Sequence, residues 1–302
     1  MSDRDVISDA VWERLEPLLP ARKPQRGGRW KDHRLVLEGI AWRFRTGAPW
    51  RDLPERFGPW QTVYERHNLW SGRRHVRADA AAPDGQRRRR GRAGVAGLGR
   101  QHHRSGASAR RRSPREVAVS TRSTQGAPSN YRNPPHEPDD HALGRSRGGW
   151  TTKTHLMCDG QGRPLSLVVT AGNVNDTTML GAVLDALRVQ RPGQPGRPCT
   201  RPDRLLADKG YSSRANRELL RRRGIPHTIP EPRDQQNNRR RRGSRGGRPV
   251  GFSAAAYRNR NVVERCFNRL KQWRGLATRT DKHAHNYQGG LLLASVLLWA
   301  RS

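Results

Sequence analysis

Between residues 73 and 125 the chain carries fifteen Arg against Asp79, Asp84 and Glu116, with no Lys, no Ile and no aromatic residue. Five Val or Leu in those 53 residues cannot supply a core, so the stretch reads as a disordered basic segment. Whatever folds must be assembled from the sequence on either side. At 302 residues there is length for two domains of about 150 residues each. Sixty Lys+Arg against 26 Asp+Glu leave +34 over the whole chain, which points to a polyanionic partner, most simply nucleic acid. Cys158, Cys199 and Cys266 are odd in number and far apart, which excludes a disulfide scaffold and shows no zinc-ligand spacing. The start, MSDRDVISDAVWERL, is charged and amphipathic rather than a signal peptide. The longest apolar run, Leu291–Ala300, is too short to span a bilayer. The expectation is a cytoplasmic, nucleoid-associated protein with no membrane partner.

Residues 1–72 read as helical. Ser8 or Asp9 caps a helix carrying Val11, Trp12, Leu15, Leu18 and Leu19, which stops at Pro20. A basic linker, Ala21–Arg29, follows. Leu35, Leu37, Ile40, Ala41 and Phe44 then recur at helical spacing up to Gly47. RDLPERFG and PWQTVYERHNLW predict a short helix, a turn and a longer helix. The set suits a small all-α, helix-turn-helix-like DNA-binding domain whose last helix enters a major groove; a bundle used for dimerisation is the alternative. Beyond residue 150, TTKTHLMCD and RPLSLVVTAG predict two strands around a glycine-rich turn. Asn175 or Asp176 caps a helix, RLLAD is a short strand ending at Asp208, Ser212 or Ser213 caps another helix, and GIPHTIP is a further strand. This alternation predicts an α/β fold with a mixed sheet. Residues 233–250 read as a basic loop, and helices at 254–274 and 286–300 close the chain.

Chemistry concentrates at two places. Asp208, followed by Lys-Gly-Tyr, stands at the carboxyl end of a strand, where α/β proteins place ligands, although Asp there is commonly a turn former or cap. In YRNRNVVERCFNRLKQWR, Tyr257, Arg260, Glu264 and Lys271 are separated by 3, 4 and 7 residues and fall on one helical stripe about 60° wide. Val263, Phe267 and Leu270 form the neighbouring apolar stripe, so the polar line runs beside the core. The bland reading is a solvated face with an Arg260–Glu264 pair worth about 0.3–0.5 kcal/mol. Arg239, Arg240, Arg241 and Arg242 would meet phosphates, or simply solubilise the loop. His155, on a predicted strand, reads as structural rather than as a metal ligand.

Tyr-x2-Arg-x3-Glu-x6-Lys, met in full by Tyr257, Arg260, Glu264 and Lys271, resembles the signature of DDE transposases of bacterial insertion sequences, in the insertion-sequence four/five superfamily. DHALGRSRGG (140–149), LLADKGYSS (205–213), NRRRRGSRGGRP (238–249) and NVVERCFNRLKQWRG (261–275) resemble the same family, as do ISDAVWERLEPLLP and RTGAPWRDLPERFGPWQTVYERH in the N-terminal part. The resemblance implies a ribonuclease-H-like catalytic domain over 138–302 with an Asp-Asp-Glu triad. Asp208 matches the second Asp and Glu264 the glutamate, as catalytic residues and metal ligands. Three such carboxylates hold two Mg²⁺ (or Mn²⁺) ions about 3.5–4 Å apart. Tyr257, Arg260 and Lys271 would then face the scissile phosphate or the transposon end. The implied partner is double-stranded DNA, as terminal inverted repeats and target, engaged by a homo-oligomer.

The family's first Asp is expected in a string such as VDST…VRAHQHAA, and this chain has none. In its place stands GRQHHRSGASARR (99–111). One synonymous-codon choice for that stretch, read one base later, spells VDSTIVRAHQHA. The reading is that 73–137 is translated out of frame, with a second shift restoring the frame before Asp140. Shifted GC-rich coding would give the Arg, Ala and Gly excess. The sheet is then expected to lack its first strand and the site its first carboxylate, since Asp79 and Asp84 lie in no strand pattern. The expectation is a transposase by family, inactive in this copy. The competing readings are a non-catalytic basic DNA-binding relic that occupies transposon ends, and a general Mg²⁺ nuclease of the same fold.

Overall fold

The computed structural model describes residues 7–20, 30–72, 96–104, 141–146, 149–189 and 197–301, with the backbone alone for 96–104. The linker Ala21–Arg29 and most of the segment 73–137, including Asp79 and Asp84, lie outside the described residues.

The sheet is mixed, as the hairpin predicts. Its strands are β1 (Ala96–Arg104), β2 (Gly144–Ser146), β3 (Gly149–Cys158), β4 (Pro164–Ala171), β5 (Leu205–Ala207) and β6 (His227–Thr228). They run in the order β2-β3-β1-β5-β6, with β4 also paired to β3. β3 is antiparallel to both β4 and β1, whereas β1, β5 and β6 are parallel. An antiparallel β1–β3–β4 meander extended by parallel β5 and β6 is the arrangement expected of a ribonuclease-H-like sheet.

β1 corrects the expectation that the sheet lacks its first strand. Residues 96–104 fill the centre, from Gly97 opposite Cys158 to Arg104 opposite Thr151 on one edge, and from Ala96 opposite Leu205 to Leu98 opposite Ala207 on the other. The reason is that a ladder is made of backbone groups. AGLGRQHHR contains no proline, so every residue offers an N–H and a C=O to neighbours that would otherwise be unpaired.

Helices cover the sheet. α4 (Asp176–Asp185) starts at Asn175, whose side chain accepts from Thr177 N, and α5 (Arg214–Arg222) at Ser213, whose hydroxyl accepts from Asn216 N. Residues 233–250, expected as a loop, instead form α6 (Arg233–Arg241) and a 3₁₀ turn, Gly243–Gly246. The helix expected at 254–274 is broken into α7 (Ala254–Arg258), α8 (Asn261–Lys271) and α9 (Arg274–Thr278). The first break is a tight turn in which Arg260 N bonds Tyr257 O, Val262 N bonds Asn259 O and Val263 N bonds Arg260 O. The apolar stripe Val263, Phe267 and Leu270 is buried, and α8 packs across β1 and β3. α10 (Ala284–Ala300) is apolar on nearly all sides and buried accordingly. No helix among the described residues is long and apolar enough to cross a membrane.

The N-terminal helices are α1 (Asp9–Leu15), α2 (His33–Thr46) and α3 (Trp60–Gly72). α2 opens on Asp32, which accepts from the amides of Arg34 and Leu35, and ends at Gly47 in the left-handed region (φ 75°). Their apolar side chains, Val11, Leu37, Phe44 and Trp70 among them, belong to the same cluster as α10 and the sheet. α3 packs on α10 and α2 on α9. The only basic residues of α3 are Arg66 and His67, and both are buried. The Arg66 guanidinium stacks on Trp30 at 3.9 Å and faces Trp70 at 5.4 Å. His67 is turned inward onto Asn286 O of α10, and Arg66 onto the indole rings. The expected groove-entering helix therefore has no exposed basic side chain.

Candidate functional site

The site is built where β5 ends. Asp208 leaves the strand in extended conformation and starts a 3₁₀ turn, Lys209–Tyr211, its Oδ1 accepting from Lys209 N at 2.7 Å. The turn is anchored from below. The Tyr211 hydroxyl pairs with Nδ1 of buried His155 at 2.9 Å, Nε2 of that histidine meets Thr170 Oγ1 at 3.1 Å, and Asn216 Nδ2 donates to Tyr211 O at 2.9 Å. His155 is thus a core hydrogen-bonding group beneath the site, which is the structural role read from its strand position.

The α7–α8 turn carries the other candidate residues, and the charge of Asp208 reaches its Tyr257. Arg260 donates from Nη2 to Glu264 Oε1 at 2.6 Å, and its guanidinium carbon lies 5.5 Å from the centre of the Tyr257 ring. Burial raises the Tyr257 hydroxyl above the usual tyrosine value; Arg260 opposes this, while the charges of Asp208 and Glu264 add to it. One phenol thus feels both carboxylates and the guanidinium, while direct contacts join only Tyr257, Arg260 and Glu264. Glu264 remains more than half exposed. Lys271, the last residue of α8, is exposed about 10 Å along the helix from Glu264 and has no described contact with the cluster. Phe252, which the sequence reading passed over, is 49 % exposed with its ring 5.3 Å from that of Tyr257. Its signal was a lone aromatic in a Gly/Pro-rich run.

The four arginines of the basic run part company. Arg239 is bound through Nη1 to both oxygens of Glu231 and is only partly exposed. Arg240, Arg241 and Arg242 are exposed, Arg241 donating to Asn238 Oδ1 at 2.9 Å. A cleft of about 720 Å³ between α3, α10 and β4, lined by His67, Trp70, Leu167, His285 and Gly289, contains none of the site residues.

The acid side chains do not fit a pair of Mg²⁺ ions. Asp208 and Glu264 are the two carboxylates whose charges act on Tyr257, and Glu264 is paired with Arg260 at 2.6 Å. No group of three His, Cys, Asp or Glu among the described residues could hold a metal. β1 runs beside β5 with Leu98 opposite Ala207, so continuing the register puts position 99 level with Asp208, and the residue there is Gly, followed by Arg100. None of the nine residues of β1 is acidic.

Comparison with known proteins gives the following. Residues 7–78 match a family model described as "Putative transposase of IS4/5 family", and residues 120–299 match one described as "Transposase DDE domain". The chain is similar to the "Putative transposase for insertion sequence element IS402" of Burkholderia cepacia, 34% identical over 154 residues, or 51% of this chain and 64% of that protein. It is also similar to the "Uncharacterized protein y4sN" of Sinorhizobium fredii, 37% identical over 68 residues (22% of this chain, 54% of that one). A third relative, the "Insertion element IS402 uncharacterized 16.2 kDa protein" of B. cepacia, is 41% identical over 59 residues (18% and 40%). The chain thus spans less than two thirds of the length of each of these relatives. No solved structure matches.

Proposed function

Because this chain belongs to the IS4/5 family of DDE transposases, we propose that it is an insertion-sequence protein that engages terminal inverted repeats as double-stranded DNA and, as it stands, does not cut them. DDE transposase domains use divalent metal ions held by acidic side chains. The observation that carries the second half is β1, the strand beside Asp208, which contains no acid. Two carboxylates, one of them paired to a guanidinium, leave a two-metal site without the third acid that would bridge and hold the ions.

What remains suits phosphate recognition. Arg260 offers planar donors and Tyr257 a hydroxyl at the α7–α8 turn, while Arg240, Arg241 and Arg242 supply exposed positive charge. The reading includes a homo-oligomer holding paired ends, expected as one gel-shift complex containing two duplexes of different length. The deciding experiment incubates the full chain with supercoiled plasmid carrying the inverted repeats and Mg²⁺ or Mn²⁺. The expected result is a shifted but un-nicked plasmid. Nicking that vanishes in Glu264→Gln would overturn the non-catalytic half, and no shift at low salt would overturn the DNA-binding half.

A further inference from the structure

α6 has the sequence RDQQNNRRR, without a single apolar residue, so the hydrophobic effect cannot dock it. What holds it is a set of side-chain bonds on one face. Gln235 makes a two-point contact with one residue: its Oε1 accepts from Ser212 Oγ at 3.1 Å and its Nε2 donates to Ser212 O at 3.0 Å. Ser212 is itself fixed, buried at the end of the Asp208 turn and accepting from Arg217 Nη2 at 3.0 Å; that guanidinium also donates to Ile229 O at 3.1 Å. One turn along, Gln236 Nε2 donates to Glu231 O at 2.8 Å and Arg239 grips the Glu231 carboxylate. Gln235, Gln236 and Arg239 are the half-buried positions, and Arg240, Arg241 and Arg242 lie outside them.

We infer that Gln235 is a positioning residue for DNA contact, its carboxamide pinning the arginine helix to Ser212 so that Arg240, Arg241 and Arg242 meet phosphates at a fixed offset from Asp208. The inference rests on the DNA-binding reading given above and adds to it a residue that touches no DNA. Gln235 commits both ends of its amide to one backbone-anchored residue, so α6 keeps its rotation about its own axis. Without that pin the same charges are present but are no longer aimed together.

The test is the salt dependence of binding to a short labelled duplex of random sequence, with the full chain. Each phosphate contact on duplex DNA contributes about 0.9 to the slope of log K against log salt. Arg240→Ala/Arg241→Ala/Arg242→Ala is expected to lower the slope by about 2–3, and Gln235→Ala by about 1–2 with no charge removed. Ser212→Ala combined with Gln235→Ala should lower it no further than Gln235→Ala alone. Hydrogen exchange of the DNA-free protein provides a readout independent of binding: Gln235→Ala should speed exchange in α6 and leave α5 unchanged. If the triple arginine variant lowers the slope and Gln235→Ala does not, or if α6 exchange is unaltered in Gln235→Ala, the positioning role is wrong while the DNA reading stands. If the triple variant leaves the slope unchanged, it is the reading of α6 as a DNA contact that fails.

Discussion

Arg43 on α2 and Asp281, in the loop before α10, form an ion pair at 3.1 Å with side chains only 3 % and 4 % exposed. Arg43 also donates to Thr280 Oγ1 at 2.6 Å, and its guanidinium stacks on Phe44 and Trp50. The pair joins residues 238 apart in sequence. Removing one partner leaves a buried charge without its counterpart, which costs about 3–5 kcal/mol. Asp281→Asn should therefore lower the unfolding free energy by that order, and in denaturant residues 1–72 should melt together with the sheet. A loss below about 1 kcal/mol would mean that the pair is solvated.

Gly290 tests the same junction by packing. A Cβ at this position would lie 2.4 Å from the Phe44 ring, inside any allowed contact. Gly290→Ala should cost about 1–3 kcal/mol through displacement of Phe44, read as a lower denaturation midpoint. A neutral substitution would show that α2 does not pack on α10.

His67 gives the fold a pH signature. Burial is the main cause that pushes its imidazole from 6.5 down to about 4, and its Nε2–H donates to Asn286 O at 3.0 Å. The unfolded chain takes up the proton first, so the stabilisation is full above about pH 6.5 and is lost as pH falls towards 4, amounting to about 3 kcal/mol. His67→Gln, which keeps a donor for Asn286 O, should flatten stability against pH across that window. A wild-type curve that is already flat from 6.5 to 4 would contradict the burial of the ring.

Tyr257 reports on the candidate site. Its phenol ionises above the ordinary tyrosine value, chiefly through burial, with Arg260 pulling it down and Asp208 pushing it up. Arg260→Ala should move the titration higher and Asp208→Asn lower, seen in the ultraviolet phenolate band after subtracting Tyr257→Phe. An unmoved titration in Asp208→Asn would remove Asp208 from the cluster.

Several parts of this arrangement are legible in the residues. The runs TTKTHLMC and RPLSLVVTAG on either side of the GQG turn announce β3 and β4, and Val263, Phe267 and Leu270 announce the buried side of α8. The approach of Asp208 to Glu264 does not follow from spacing; it enters through the family resemblance, and the shared influence on Tyr257 supports it. The break at Asn259–Arg260 was hidden because both residues keep helical angles while their hydrogen bonds tighten. α6 was invisible for a different reason: helical periodicity is read from apolar residues, and it has none. Burial of Arg66 and His67 was equally unreadable, since a basic residue on a helix is expected in water unless aromatic rings such as Trp30 and Trp70 receive it.

β1 separates two properties that are usually lost together. Strand pairing draws on main-chain groups that almost any residue supplies, whereas a metal ligand is a single side chain at a single register position. A proline-free strand of almost any sequence can thus keep a sheet standing without supplying an acid beside Asp208. On the proposed reading, architecture outlives activity: a folded, highly charged shell would go on occupying DNA that it does not cut.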